Sequence, residues 1–190
     1  MRANFALFLA IFALGACSRI GADKPAPPPT SVRGCTLATS APWRPEGAAA
    51  LEVTASSAGP DCEHAVATIA IRDAAGQVLW ADAAPTAHLF GLNDAHDNAA
   101  MQTALAQWIT SSNHTMATTS ALPDWPQGAD QPQNGEFPFY PDHDLNREAY
   151  LALRTANVPV FCYVQGMESQ ACVALQNGQI GKVGVQSFPG

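Results

Sequence analysis

Hydrophobic and polar positions alternate singly where Leu51, Val53 and Ala55 interleave with Glu52, Thr54 and Ser56, the period-two mark of a half-buried strand. A loop carrying Gly59, Pro60 and Cys62 ends it. Two further strands, Val66 to Arg72 and Gln77 to Ala83, flank Asp73-Ala74-Ala75-Gly76, where Gly76 suits the left-handed position of a three-residue hairpin loop. That register pairs Ile71 with Leu79 and Ile69 with Ala81 on a core face, and sends Arg72, Trp80 and Asp82 to the opposite one. The period then changes. Met101, Leu105, Trp108 and Ile109 recur at helical spacing and predict a helix from Asp94 to Ser111, with Asn93 or Asp94 as N-cap and Asp97 as an acid in the first turn. A second helix starts at Asp144, presents Leu145, Ala149, Ala152, Leu153 and Ala156 on one stripe, and ends at Asn157 with Pro159 beyond.

The C-terminal pattern is again β. Val158 to Gln165, Gln170 to Gln176 and Gln179 to Gln186 read as strands joined by two turns, the second being Asn177-Gly178, a type I′ hairpin signal. A loop of Gly166, Met167 and Glu168 sets Cys162 opposite Cys172. These elements predict an α+β domain in the order β-β-β-α-α-β-β-β, with a mostly antiparallel sheet carrying both helices on one face. Residues 35–190 are assigned to this single domain. From Ser18 to Gly34 the chain has prolines at 25, 27, 28 and 29 and little that could pack, which predicts an extended tether rather than a second core. A ligand for a polyproline-binding partner is the other reading of that stretch.

The first residues belong to neither. Arg2 supplies one positive charge, Phe5 to Leu14 are all apolar, and Leu14-Gly15-Ala16 run into Cys17. Ten apolar residues are too few to cross a bilayer as a helix, which needs roughly 20. The charged start, the apolar run and the four-residue junction together resemble the signal and lipobox of bacterial lipoproteins. The resemblance covers the first seventeen residues. It implies a signal peptide over residues 1–16, a diacylglycerol and acyl chain on Cys17, and anchoring of the mature chain to membrane through that lipid. Ser18 after the cysteine, in place of aspartate, implies sorting to the outer membrane, facing the periplasm. An ordinary secretory signal leaving a free Cys17 is the alternative.

Setting Cys17 aside leaves Cys35, Cys62, Cys162 and Cys172, an even number in an exported chain, and two disulfides are expected. Three connectivities are open. The predicted hairpin favours Cys162 with Cys172, which pairs Cys35 with Cys62. Zinc binding by these residues lacks a C-x2-C pair or a histidine at finger spacing.

Two constellations are candidates for function. Between the helices, His114 to His143 holds five prolines with Trp125, Phe137, Phe139 and Tyr140, and loops of that length are often functional. These aromatics are candidate partner contacts, or else they cover the sheet. Asp94, His96, Asp142, His143 and Asp144 would make a divalent-metal or acid/base site if the two helix starts converge. Otherwise the acids cap helices. His64, His88 and His114 stand elsewhere.

Composition narrows the function classes. The chain of 190 residues is 47% hydrophobic and 13% charged, which supports a packed core. With Lys plus Arg 9 against Asp plus Glu 16, it lacks the cationic footprint of a nucleic-acid binder. Removal of Arg2 with the leader takes the formal charge from -7 to −8. No nucleophile elbow, S-x-x-K, P-loop or dinucleotide-binding glycine motif occurs, and no cofactor is expected. The reading is an envelope lipoprotein acting as a non-enzymatic binding or accessory module toward an envelope protein or the cell wall. The alternative is a small metal-dependent hydrolase built on the Asp/His residues.

Overall fold

A computed structural model describes residues 34–111, 116–133 and 136–188. The leader, Cys17, the tether through residue 33, and His114 lie outside the described residues. Strands β1 (Leu37–Trp43), β2 (Leu51–Ala58), β3 (Val66–Arg72) and β4 (Val78–Pro85) form an antiparallel meander in that order. Helix α1 (Asn98–Ser111) follows, then β5 (Phe139–Pro141), α2 (Arg147–Ala156), β6 (Val160–Val164), β7 (Ser169–Gln176) and β8 (Gln179–Ser187). The last four strands make a second antiparallel sheet, ordered β5-β8-β7-β6. The fold is α+β.

The single sheet expected from the sequence is therefore two, and the helices do not share one face. β7 explains why. Its residues Gln170 to Leu175 are all buried, the pattern of a strand covered on both sides rather than on one. Ala171, Val173 and Leu175 join Phe161 and Tyr163 in the core shared with α1 and the first sheet. Cys172 and Ala174 join Cys162, Val160 and Val183 on the other side, under Tyr150 of α2. The element order gains β1 before the expected strands and β5 between the helices.

The β3–β4 pairing also differs from expectation. The hairpin loop forms as anticipated, with Gly76 at φ 80° and Asp73 N–H donating to Gln77 O at 3.0 Å. Arg72 pairs with Val78, but a bulge then inserts Leu79, so Ile71 faces Trp80 and Ile69 faces Asp82. One extra residue moves Trp80 and Asp82 onto the inner side of the sheet. Both helices begin three or more residues later than expected. Leu92 and Ala95 are buried in a turn before α1, so the cap is Asp97, whose carboxylate accepts from Ala100 N–H at 2.8 Å. In α2 the cap is Asn146, accepting from Ala149 N–H at 2.9 Å. Asn157 ends α2 in the left-handed conformation, at φ 49°.

Two disulfides hold the ends of these elements. Cys35 bonds Cys62, and beside it Cys35 N–H donates to Gly59 O at 2.9 Å while the Ser57 hydroxyl donates to Cys35 O at 3.1 Å. Cys162 bonds Cys172 across directly paired positions of β6 and β7. Gly184 faces Cys172 at a bulge in β8, where a Cβ would overlap the Tyr140 carbonyl oxygen and come within 2.7 Å of the Phe139 ring. Only glycine lets β5 close on β8 there.

Candidate functional site

Antiparallel pairing brings the start of β5, the end of β8, the start of β7 and the end of β6 to one end of the second sheet. Ser187 N–H donates to Pro138 O and Phe188 N–H to Glu168 O, each at 2.8 Å. The Phe137 and Phe188 rings meet edge to face, their centroids 5.9 Å apart. From the other side, the turn after β4 arrives with Leu89 and Leu92 buried, and Phe90 N–H reaches Gly166 O at 3.4 Å. The two flanking leucines fill the core, which leaves Phe90 pointing outward. At this end Phe90 is 63% exposed, Met167 48% and Phe137 44%. Large apolar side chains gathered at one end and open to water are a common mark of an interaction surface.

The aromatics expected to form a contact surface divide. Trp125 is half-buried, its indole N–H donating to Ala129 O at 2.8 Å and its ring 5.4 Å from that of Tyr150. Phe139 is fully buried under α2. Both pack over the second sheet; Phe139 is closed to a partner, whereas Trp125 keeps part of its surface open. Phe137 remains exposed at the apolar end, and Tyr140 is exposed on the side of β5 opposite Phe139. The sequence reading missed Phe90, Met167 and Phe188. A methionine at the tip of a hairpin loop, where polar residues usually sit, was the legible signal.

The Asp/His residues expected to converge do not form one group. His96 pairs with Glu63 at 3.0 Å, and Asp94 accepts from the Asn93 amide at 3.2 Å. Asp142, His143 and Asp144 do place ligand atoms within 4.8 Å of one another, but these are consecutive residues of one turn. His143 lies 3.1 Å from Asp142 and 3.3 Å from Asp144, and its side chain is open to water. Asp61 and His64 form another exposed pair, in which their mutual hydrogen bond holds the carboxyl below its usual range and lifts the imidazole above its own.

Deeper in the fold, the Tyr163 hydroxyl donates to Asp82 Oδ2 at 2.8 Å and accepts from Trp80 Nε1 at 3.0 Å. Burial first, and the Asp82 carboxylate second, push this phenol far above its ordinary range. The trio ties β4 to β6 and is a bridge between the sheets. Trp108 reinforces it, its indole N–H donating to Val164 O at 2.8 Å. A separate open groove of about 490 Å³ runs between α2 and the β7–β8 hairpin, walled by Leu145, Ala149, Ala152, Leu153, Ala174 and Val183 among others.

No helix among the described residues is long and apolar enough to cross a membrane. Comparison with protein-family models, curated proteins and solved structures found no match for this chain.

Proposed function

We propose that this chain is a lipid-anchored binding module of the bacterial envelope, held to the outer membrane through Cys17 and presenting the Phe90–Met167–Phe137 end to a partner in the periplasm. The observation that carries the reading is that apolar end. Exposing these side chains costs the free protein apolar burial that a docking partner would recover. Two disulfides suit an oxidising compartment. The lipobox-like junction supports anchoring, since a multiply acylated cysteine holds a chain stably where one acyl group would not. The tether then supplies reach away from the bilayer.

Two measurements test the reading. Intact mass of detergent-extracted protein should show a chain that begins at Cys17 and carries diacylglycerol and acyl mass; a mature mass without them removes the anchor. Photo-crosslinking in living cells from positions 90 and 137 should trap an envelope component. Position 40, on the outer side of the first sheet, serves as the control and should trap nothing. Equal yields from all three positions, or none from any, would sink the binding reading.

A further inference from the structure

We infer that the partner of the apolar end is a cationic protein, one that seats an apolar side chain among Phe90, Met167 and Phe137 and places Lys or Arg against Glu136 and Glu168. This inference rests on the binding-module reading and gives that surface its class of partner.

The charge around the end carries the argument. Two of the three exposed apolar residues at this end have an exposed acid next to them in sequence: Glu136 precedes Phe137, and Glu168 follows Met167. The Glu168 main chain is fixed, its carbonyl accepting from Phe188 N–H, so that acid is held at the rim of the Phe137–Phe188 contact. Among the described residues, neither acid has a Lys or Arg as an ion-pair partner. Arg72 is engaged with Gly76 O, Arg147 with Trp125 O, and Arg154 with Leu122 O and Asp124. Arg44 and Lys182, the other described cations, also lie outside the segments that build this end. The chain as a whole is acidic, with a net charge of -7, so its long-range field has the same sign as the rim.

An apolar centre with a polar rim is the usual arrangement of a protein interface, and charge of one sign on that rim selects a partner of the opposite sign and speeds encounter. The same charges argue against the other occupants. An anionic bilayer would be repelled by the rim and by the net charge. A second copy docking by two-fold symmetry would set this acidic rim against an identical acidic rim.

The test uses the full detergent-solubilised chain and three short peptides: alternating Trp and Lys, alternating Trp and Glu, and alternating Ser and Lys. Fluorescence anisotropy reads affinity. Trp–Lys should bind best, and Phe90→Ser/Met167→Ser should weaken it about tenfold, the scale of losing buried anchors. Glu136→Gln/Glu168→Gln should weaken it several-fold, whereas Asp61→Asn/Glu63→Gln, which removes equal charge elsewhere, should not. Equal loss in both charge variants means net charge alone is read, and overturns the inference. Equal binding of Trp–Lys and Trp–Glu, lost with Phe90→Ser/Met167→Ser, keeps the apolar docking end and overturns its cationic partner. A self-association that the Phe90→Ser/Met167→Ser change dissolves assigns the surface to a second copy instead. Binding of no peptide removes the cationic partner as well; if the in-cell crosslinks from position 90 also fail, the binding reading falls with it.

Discussion

The two sheets solve the same problem with opposite patterns. The first buries one side, and its register leaves Ala38, Ser56, Thr68 and Ala83 in one outward row and Ser40, Thr54, Ala70 and Ala81 in the next. The middle of that outer side is small-grained, while Glu52, Arg72 and Val78 stand toward one end of it and Val66 toward the other. In the second sheet β6 and β7 are covered on both sides, by the first sheet and α1 on one and by α2 with the loop before it on the other, while Tyr140 of β5 stays exposed. Exposed aromatic rings and Met167 nevertheless collect at the end of this sheet and at the turn that meets it. The contrast shows that the apolar end is not surplus from a poorly covered sheet: the better-covered sheet carries it, on loops held by main-chain hydrogen bonds.

The sharpest way to break this contrast is to empty the side of the second sheet that meets the first. Phe161 is fully buried, with its ring 5.4 Å from Trp43 and 6.5 Å from Tyr163. Phe161→Ala should cost about 3–5 kcal/mol in denaturant unfolding, the range for a large aromatic lost from a packed core. A cost below about 1 kcal/mol would mean that the sheets are not packed through this ring.

Next come the disulfides, one for each sheet, whose cysteines are equally buried. They differ in the span they close, 27 residues for Cys35–Cys62 and 10 for Cys162–Cys172. The loop-entropy relation gives about 3.6 kcal/mol for the first and about 2.7 kcal/mol for the second. Cys35→Ala/Cys62→Ala should therefore lose about 1 kcal/mol more than Cys162→Ala/Cys172→Ala. The reverse order would place the larger stabilisation in the doubly covered core and not in chain entropy.

The bridge between the sheets comes third. Tyr163→Phe deletes a hydroxyl bonded to both Asp82 and Trp80, and because those partners are half-buried and can reach water the loss should be about 1–2 kcal/mol. It also has a pH signature. The folded phenol stays protonated far above 10.0, the value at which the unfolded phenol releases its proton. The unfolded state then binds fewer protons than the folded one, so this stabilisation is complete below pH about 10 and is lost as pH rises beyond it. Unfolding measured from pH 8 to 11 should steepen above 10 in the parent and less so in Tyr163→Phe. Tyr150, raised by burial in the same direction, leaves a remainder of the slope in both.

How much of this was legible follows the same divide. Strand β2 and the Asn177-Gly178 turn were readable because single alternation and a two-residue φ > 0 turn each have one local solution. β1 was not, since its inward Thr39 and Ala41 bury too little to stand out from a loop. β7 was readable as a strand, but its continuous apolar run does not say what covers each side, so the second sheet merged with the first. The Leu79 bulge is invisible locally, because the turn on its own specifies the unshifted register. The apolar end was half legible. Phe137 belongs to the long proline-rich loop between the helices, whose length marks it as a candidate, while Phe90 lies between two core leucines, and its exposure follows only from the burial of both.

The smallest expected effect tests the wet side of the contrast. Thr68 lies in the middle of the outward row, between Ser56 and Ala83 across the register, and is partly exposed. A lysine there can lay its methylenes over the neighbouring alanines and keep its amine in water. Thr68→Lys should change stability by no more than about 0.5 kcal/mol, within the ordinary range for surface positions. Crosslinking from position 90 should be untouched, because the new charge sits on the first sheet and not on the loops that carry Phe90 and Met167. A variant that stays folded yet loses its envelope crosslink would make the flat outer side a contact surface as well, and the difference between the two sheets would no longer separate scaffold from site.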